Sequence, residues 1–311
     1  MGRCYDNRMN SPIALASDRL TAGVCPDVGG ALGWFGLRDD TGIDFVRPTP
    51  MRASAENNAR MASSYPLVPY SNRIGDGRFE FDGSRVVLRR NADFSEHPIH
   101  GIGFQRAWTM VASTGARIEI AIEHDGVNGT DPDWPWSFSA TQVFTIDDKG
   151  LAMRIDLTNR DPRPMPAGIG LHPFFPKTPA TELRFEADAV WLGNARMLPE
   201  SRIDVPQRFD FLRRRAVADL DVDNCFAGWK GSAEIVWPDR KWGLSIAATD
   251  AFGHLVVYTS PSRDSIAIEP VSHVNNAVNL AHERNDTGLR TLATGQTLSG
   301  TMTLSPFALQ S

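Results

Sequence analysis

Apolar and polar side chains alternate with a period of two along most of this chain. In Arg117-Ile118-Glu119-Ile120-Ala121-Ile122-Glu123 three isoleucines share one face, and an arginine and two glutamates share the other. That pattern predicts a half-buried strand with one wet side. Gln142–Ile146 and Leu151–Leu157 flank Asp147-Asp148-Lys149-Gly150, which predicts a hairpin closed by a glycine-ended turn. Short runs of the same kind recur at Leu20–Val24, Phe79–Phe81, Val86–Leu88, Leu183–Phe185 and Glu234–Trp237. Others lie at Leu244–Ala248, Leu255–Thr259, Ile266–Glu269 and Leu298–Leu304. Helical periodicity is thin: Ala53–Ala62 and Asn275–His282 allow a turn or two each, and neither carries a long 3.6-residue stripe. The expected fold class is all-β, a large antiparallel β-sandwich with few short helices, formed by residues 1–311 as a single domain.

Composition narrows the function classes. The 26 glycines and 21 prolines suit many short strands with tight connections. The 32 basic and 37 acidic residues are scattered, giving a net charge of −5 and no block of like charge. No nucleic-acid partner is therefore expected, and no anionic membrane surface. No apolar run approaches the ~18 residues of a membrane span, and Met1–Asn10 lacks the apolar core of a secretory signal. Cys4, Cys25 and Cys225 form an odd, widely spaced set that is neither a disulfide framework nor a zinc quartet. These features point to a cytoplasmic setting.

Two strands end in ionisable groups after a run of small residues. In Gly168-Ile169-Gly170-Leu171-His172 the two apolar residues take one face, and both glycines and His172 take the other. Ser265-Ile266-Ala267-Ile268-Glu269 repeats the arrangement, with Ser265, Ala267 and Glu269 together. Glycines weaken a strand, so the space they open is expected to hold something else. Pro173 and Pro270 follow the two ionisable groups and are expected to stop pairing there. If the strands are neighbours, His172 and Glu269 face one cavity, a pair suited to general acid–base chemistry.

Tyr65-Pro66-Leu67-Val68-Pro69-Tyr70-Ser71-Asn72-Arg73 is a second constellation, whose Asn72 and Arg73 supply donors and an acceptor suited to vicinal hydroxyls. His97 and His100 stand three apart, but a metal needs a third ligand and a geometry that Pro98 hinders, so no metal and no cofactor is expected. Trp108, Trp134, Trp136, Phe174 and Phe175 are either core residues or stacking surfaces for a sugar ring. His124, His254 and His282 have no neighbouring pattern and are expected to be solvated or satisfied. Gly101-x-Gly103 and Gly168-x-Gly170 lack the third glycine of a dinucleotide fingerprint.

Taken in order, these segments resemble the aldose 1-epimerase (mutarotase) family. The match runs from Tyr65-Pro66-Leu67 through Asn72-Arg73-Ile74 and Gly77-x-Phe79 to His100-Gly101 and Trp108. It continues at Gly170-Leu171-His172-Pro173-Phe174-Phe175, Asp223-Asn224-Cys225-Phe226, Glu269-Pro270 and Asn279. The resemblance implies a galactose-mutarotase-like sandwich with a monosaccharide site, and catalytic roles for His172 (general acid), Glu269 (general base) and His100 (near the ring oxygen). It also implies that Asn72, Arg73 and Asp223 bind the sugar, with Asp221 the alternative aspartate. Galactose-specific members typically carry a second glycine after His-Gly, an Asn before the catalytic His, and Glu-Thr-Gln. Here Ile102, Leu171 and Pro270-Val271 stand in those places, so a preference for galactose does not follow.

The reaction so implied opens the hemiacetal, rotates about C1–C2 and recloses on the other face, with His172 cationic and Glu269 anionic at the start. A relative acting on a hexose 6-phosphate would add cations around the pocket, for which Arg73, Arg78 and Arg106 are candidates. A non-catalytic carbohydrate-binding protein and a two-carboxylate glycosidase using Glu269 and Asp223 are further alternatives. The assembly is expected to be a monomer or a homodimer.

Overall fold

The computed structural model describes residues 12–39 and 41–310. The N-terminal segment Met1–Asn10 and Cys4 lie outside the described residues. Two large antiparallel sheets dominate. The nine-stranded sheet runs Arg215–Ala216, Glu182–Phe185, Ser232–Trp237, Trp242–Ala248, Thr297–Ala308, Gly150–Asn159, Phe138–Asp147, Arg117–His124 and Thr109–Ser113. Ile118, Ile120 and Ile122 point inward there, as their alternation predicts. The hairpin pairs Gly150 with Asp147, whose Oδ1 accepts the N–H groups of Lys149 and Gly150 at 2.8 and 3.0 Å.

The eight-stranded sheet carries the chemistry. Its strands are β1 (Pro66–Leu67), β2 (Gly170–Leu171), β3 (Phe174–Pro176), β4 (Val222–Ala227), β5 (His254–Thr259) and β6 (Ser265–Val271), with Ala189–Gly193 and Pro199–Asp204 beyond β4. Strands β5 and β6 are covered on both faces, as is β4 from Cys225 onward, and alternation divides their side chains between two layers. Phe226, Leu255, Val257, Ile266 and Ile268 join the main core shared with the nine-stranded sheet. Cys225, Val256 and Val271 join a smaller cluster with Tyr65, Leu67 and Phe104 on the opposite face. The functional side chains stand on that second face.

Two expectations about this sheet fail. Pro270 does not end pairing, because β6 runs on to Val271 and pairs with β5 at Leu255↔Pro270 and His254↔Val271. Pro173 only interrupts: Gly170↔Val271 and Phe174↔Ala267 lie in one register, so β2 and β3 are one line of chain along β6. A proline loses its donor but keeps its carbonyl, and Pro173 O accepts the Ile268 N–H at 3.4 Å. The glycine-cleared track also fails as a ligand channel. A side chain at Gly168 would meet the His273 ring, and one at Gly170 would meet Leu67 and Val271. The protein's own side chains fill the space that the glycines open.

The helical segments are short, as expected: Arg52–Ala55, a 3₁₀ turn at Ala59–Met61, and Ala277–Leu280. No helix of the described residues is long and apolar enough to cross a membrane.

Candidate functional site

The shared register of β2, β3 and β6 sets His172 across from Glu269, and the two side chains meet with His172 Nε2 3.1 Å from Glu269 Oε1. Both are buried, at 7% and 2% exposure. Above them opens a cavity of about 330 Å³, lined by His172, Glu269, His100, Asn72, Arg73 and Asp223. All six residues singled out in the sequence therefore meet in one place. Asp223, not Asp221, lines the cavity, because Asp223 pairs directly with Tyr258 on β5 and both side chains turn to the cavity face.

Local structure explains how each group is held. The His172 backbone N–H donates to Tyr65 O at 3.0 Å, which ties its strand to the Tyr65 segment. Its ring packs against Tyr65 and Phe174, with centroids 4.5 and 4.6 Å away. His100 adopts a left-handed backbone (φ 63°) ahead of Gly101 (φ 68°), where a Cβ would strike Val68 O. Its Nδ1 accepts the Asn72 N–H at 3.2 Å, which leaves Nε2–H as the donor of the neutral ring. Asn72 Oδ1 accepts from the Arg73 backbone N–H at 2.9 Å and from Arg73 Nη1 at 3.3 Å, so Asn72 orients the arginine as well as lining the cavity.

Burial acts against the ionic form expected of the acid–base pair. Burial, reinforced by neighbouring His100, pushes the His172 imidazole well below its ordinary 6.5. Burial, reinforced by Asp223, pushes the Glu269 carboxyl well above 4.5, and Arg73 only partly opposes it. Both directions favour a neutral imidazole beside a carboxylic acid, since burial disfavours each charged form. The ion pair has the same proton count and differs by one transfer along the 3.1 Å contact. His100 is also held neutral, its pKa brought by burial to about 3. Asp223 is reachable from solvent through the cavity mouth, yet its surroundings desolvate it enough to raise its carboxyl. Glu269 Oε2 is buried without a hydrogen-bond partner and is open to chemistry with a guest.

Several side chains fall elsewhere than expected. Of the candidate stacking aromatics only Phe174 lines the cavity; Trp108, Trp134, Trp136 and Phe175 are core. Arg78 and Arg106 do not line it, and Arg106 instead contacts His124 Nδ1 at 2.9 Å and Asp133. His97 is occupied in accepting the Asp76 N–H at 3.0 Å. Among the described residues no three His, Cys, Asp or Glu side chains gather as a metal-binding group. His124 and His282 are satisfied by the carbonyls of Trp134 and Glu80. His254 is not: it is buried with no hydrogen bond of ordinary geometry on either ring nitrogen, and burial beside His273 brings its pKa to about 4. Sequence reasoning misses Arg47, Arg60, Arg263, Phe94 and Tyr258, which also line the cavity. Arg47 lies in a loop and Arg60 in the short 3₁₀ turn Ala59–Met61, and neither has an alternation to place it. Tyr258 is recoverable, since it shares the parity of Val256 on β5.

Comparison with known proteins gives a consistent result. The model of the family described as Aldose 1-epimerase matches residues 13–305. The Escherichia coli K12 protein YphB is 29% identical over 288 residues, covering 89% of this chain and 93% of YphB. A galactose mutarotase-like protein from Clostridium acetobutylicum superposes with a TM-score of 0.84 at 20% identity, covering 95% of each chain. A GalM/aldose epimerase homologue from C. elegans gives 0.83 at 19%, covering 97% of this chain and all of the other.

Proposed function

The chain belongs to the aldose 1-epimerase family, and on that premise we propose that it interconverts the α and β anomers of an aldose by ring opening and reclosure between His172 and Glu269. The observation that carries this reading is the 3.1 Å contact of the two side chains on the floor of a cavity of monosaccharide size. Each covalent event in mutarotation is a proton transfer coupled to one C–O bond, so an acid and a base are the chemistry required. The sugar enters with its C1 hydroxyl at Glu269 and its ring oxygen at His172. The proton on Glu269 moves to His172, which makes a carboxylate base and an imidazolium acid from a neutral pair. Glu269 then takes the C1 hydroxyl proton while His172 protonates the ring oxygen, and the ring opens to the aldehyde. Rotation about C1–C2 and the reverse transfers close the other anomer. His100 Nε2–H stabilises the ring oxygen, while Asn72, Arg73 and Asp223 hold the hydroxyls so that the open chain rotates in place.

Anomer exchange of freshly dissolved α-D-glucose and α-D-galactose, followed by polarimetry or NMR with and without protein, tests the reading. Acceleration is expected; saturable binding with no acceleration would leave a carbohydrate-binding protein in its place. The pH profile follows from the proton count. The working pair carries one mobile proton; acid adds a second at His172, whose pKa is pushed below 6.5, and alkali removes the first from Glu269, whose pKa is pushed above 4.5. The acid limb of kcat/KM is expected below pH 6.5, and an acid limb at or above that value would overturn the neutral pair.

A further inference from the structure

The cavity holds more positive charge than an uncharged sugar ring calls for. Arg73 faces acidic groups inside it, since its charge partly opposes the rise of the Asp223 and Glu269 carboxyl pKa values. Arg47, Arg60 and Arg263 line the same cavity. Among the described residues none of these three has a carboxylate within ion-pair distance. Arg47 also lines a neighbouring cleft with Asp44, Asp264, Lys177 and Arg240, where the Asp264 charge favours its cationic form from beyond ion-pair distance.

Arg47 and Arg60 are fixed by carbonyls and aromatic rings. Arg47 Nη2 donates to Arg60 O and Ala62 O, each at 2.8 Å, and its guanidinium lies 3.7 Å from the Phe174 ring centroid. The Arg60 guanidinium lies 3.5 Å from the Phe94 centroid. Carbonyl dipoles and ring faces orient a cation but leave its full charge available. Arg47 and Arg60 both titrate below the usual arginine range, chiefly through burial, with repulsion from Arg263 adding to it. Like charges collected around one opening are unfavourable until an anion enters. Phe174 fixes where that anion lies, because the same ring that carries Arg47 packs 4.6 Å from His172. The arginine end is thus one aromatic ring away from the group that meets the sugar's ring oxygen.

We propose that Arg47, Arg60 and Arg263 bind an oxyanion substituent on the sugar, remote from C1, so that the preferred substrate is an anionic aldose: a phosphate ester or a uronate. This rests on the mutarotase reading, which places C1 at His172 and Glu269. Guanidinium forks match the paired oxygens of either group, and a neutral hydroxymethyl cannot use them.

The test compares kcat/KM for anomer exchange of glucose, glucose 6-phosphate and glucuronate by the native protein. One or both anions are expected to exceed glucose by about tenfold or more, the effect of a charge-assisted hydrogen bond. The faster of the two identifies the oxyanion. Raising ionic strength from about 0.05 to 0.5 M is expected to narrow the preference. The paired Arg60→Gln and Arg263→Gln variant is expected to lose it through KM. Equal turnover of all three sugars would overturn the anion subsite while leaving mutarotation standing. Absence of turnover on any sugar, with calorimetric binding of glucose 6-phosphate that the paired variant loses, would keep the subsite and sink the mutarotase reading. Neither turnover nor binding would overturn both.

Discussion

Ile266 and Ile268 on one face of β6, and Ser265, Ala267 and Glu269 on the other, obey the same alternation under opposite solvation demands. The isoleucines enter the core between the two large sheets, where burial is favourable and the surroundings are apolar. Glu269 is as deeply buried, yet it keeps one oxygen unpaired, and burial pushes its carboxyl pKa up. One strand thus carries a face that holds the fold together and a face that the fold must hold in place. Burial alone does not tell them apart; the unpaired polar atom does. Structural and chemical roles on β6 should therefore separate under substitution.

The sharpest break of that comparison is Glu269→Gln. Removing the base is expected to lower kcat by about 10²–10⁴ with a modest effect on KM, and His172→Asn should do likewise. The fold should not suffer. An acid whose folded pKa is raised binds its proton more tightly in the native state, so its contribution is full below its ordinary pKa of 4.5 and is lost as pH rises towards the folded value. Glutamine has no such loss. The variant is expected to equal the native protein in Tm near pH 4.5 and to exceed it increasingly at higher pH, as thermal unfolding across pH would measure. Near-normal turnover would remove Glu269 from its role, and a Tm that falls with the substitution at every pH would make it a structural residue.

The opposite face gives the second contrast. Ile268→Ala removes a fully buried side chain one residue away from Glu269, and is expected to cost about 2–5 kcal/mol of unfolding free energy in denaturant titration. Turnover per folded molecule should change far less than in Glu269→Gln, because the cavity left behind opens into the core between the sheets. A loss of kcat matching that of Glu269→Gln would mean that the two faces are not independent.

How much of this is legible depends on whether a residue's partner is encoded in strand parity. His172 and Glu269 can be found because each closes an alternating run whose other face is apolar, and the register then delivers them to each other. The strand Ala31–Leu37 escapes because all seven of its residues are buried, which leaves no alternation to read. Arg47, Arg60 and Arg263 escape for a different reason: they reach the cavity from loops and a short 3₁₀ turn between strands, where no periodicity fixes a direction. The sequence does not reveal the balance between the ionic and the neutral form of the acid–base pair, because that balance depends on desolvation, a property of packing.

Gly170 gives the smallest contrast and bears most directly on what strand parity can reveal. A strand cleared of side chains suggests room for a ligand, and on that view a methyl at Gly170 would obstruct the sugar and raise KM. The packing argues otherwise. An added Cβ would lie 2.9 Å from Leu67 Cδ1 and 2.9 Å from Val271 Cγ1, closer than side chains tolerate, and neither residue belongs to the cavity lining. Leu67 can yield by turning about its own bonds, whereas Val271 is β-branched and held on β6, so part of the strain must pass into the backbone. Gly170→Ala is therefore expected to lose about 1–3 kcal/mol of stability in denaturant titration with KM unchanged. A raised KM at unaltered stability would restore the glycine track as part of the sugar site and move the boundary between the two kinds of face by one strand.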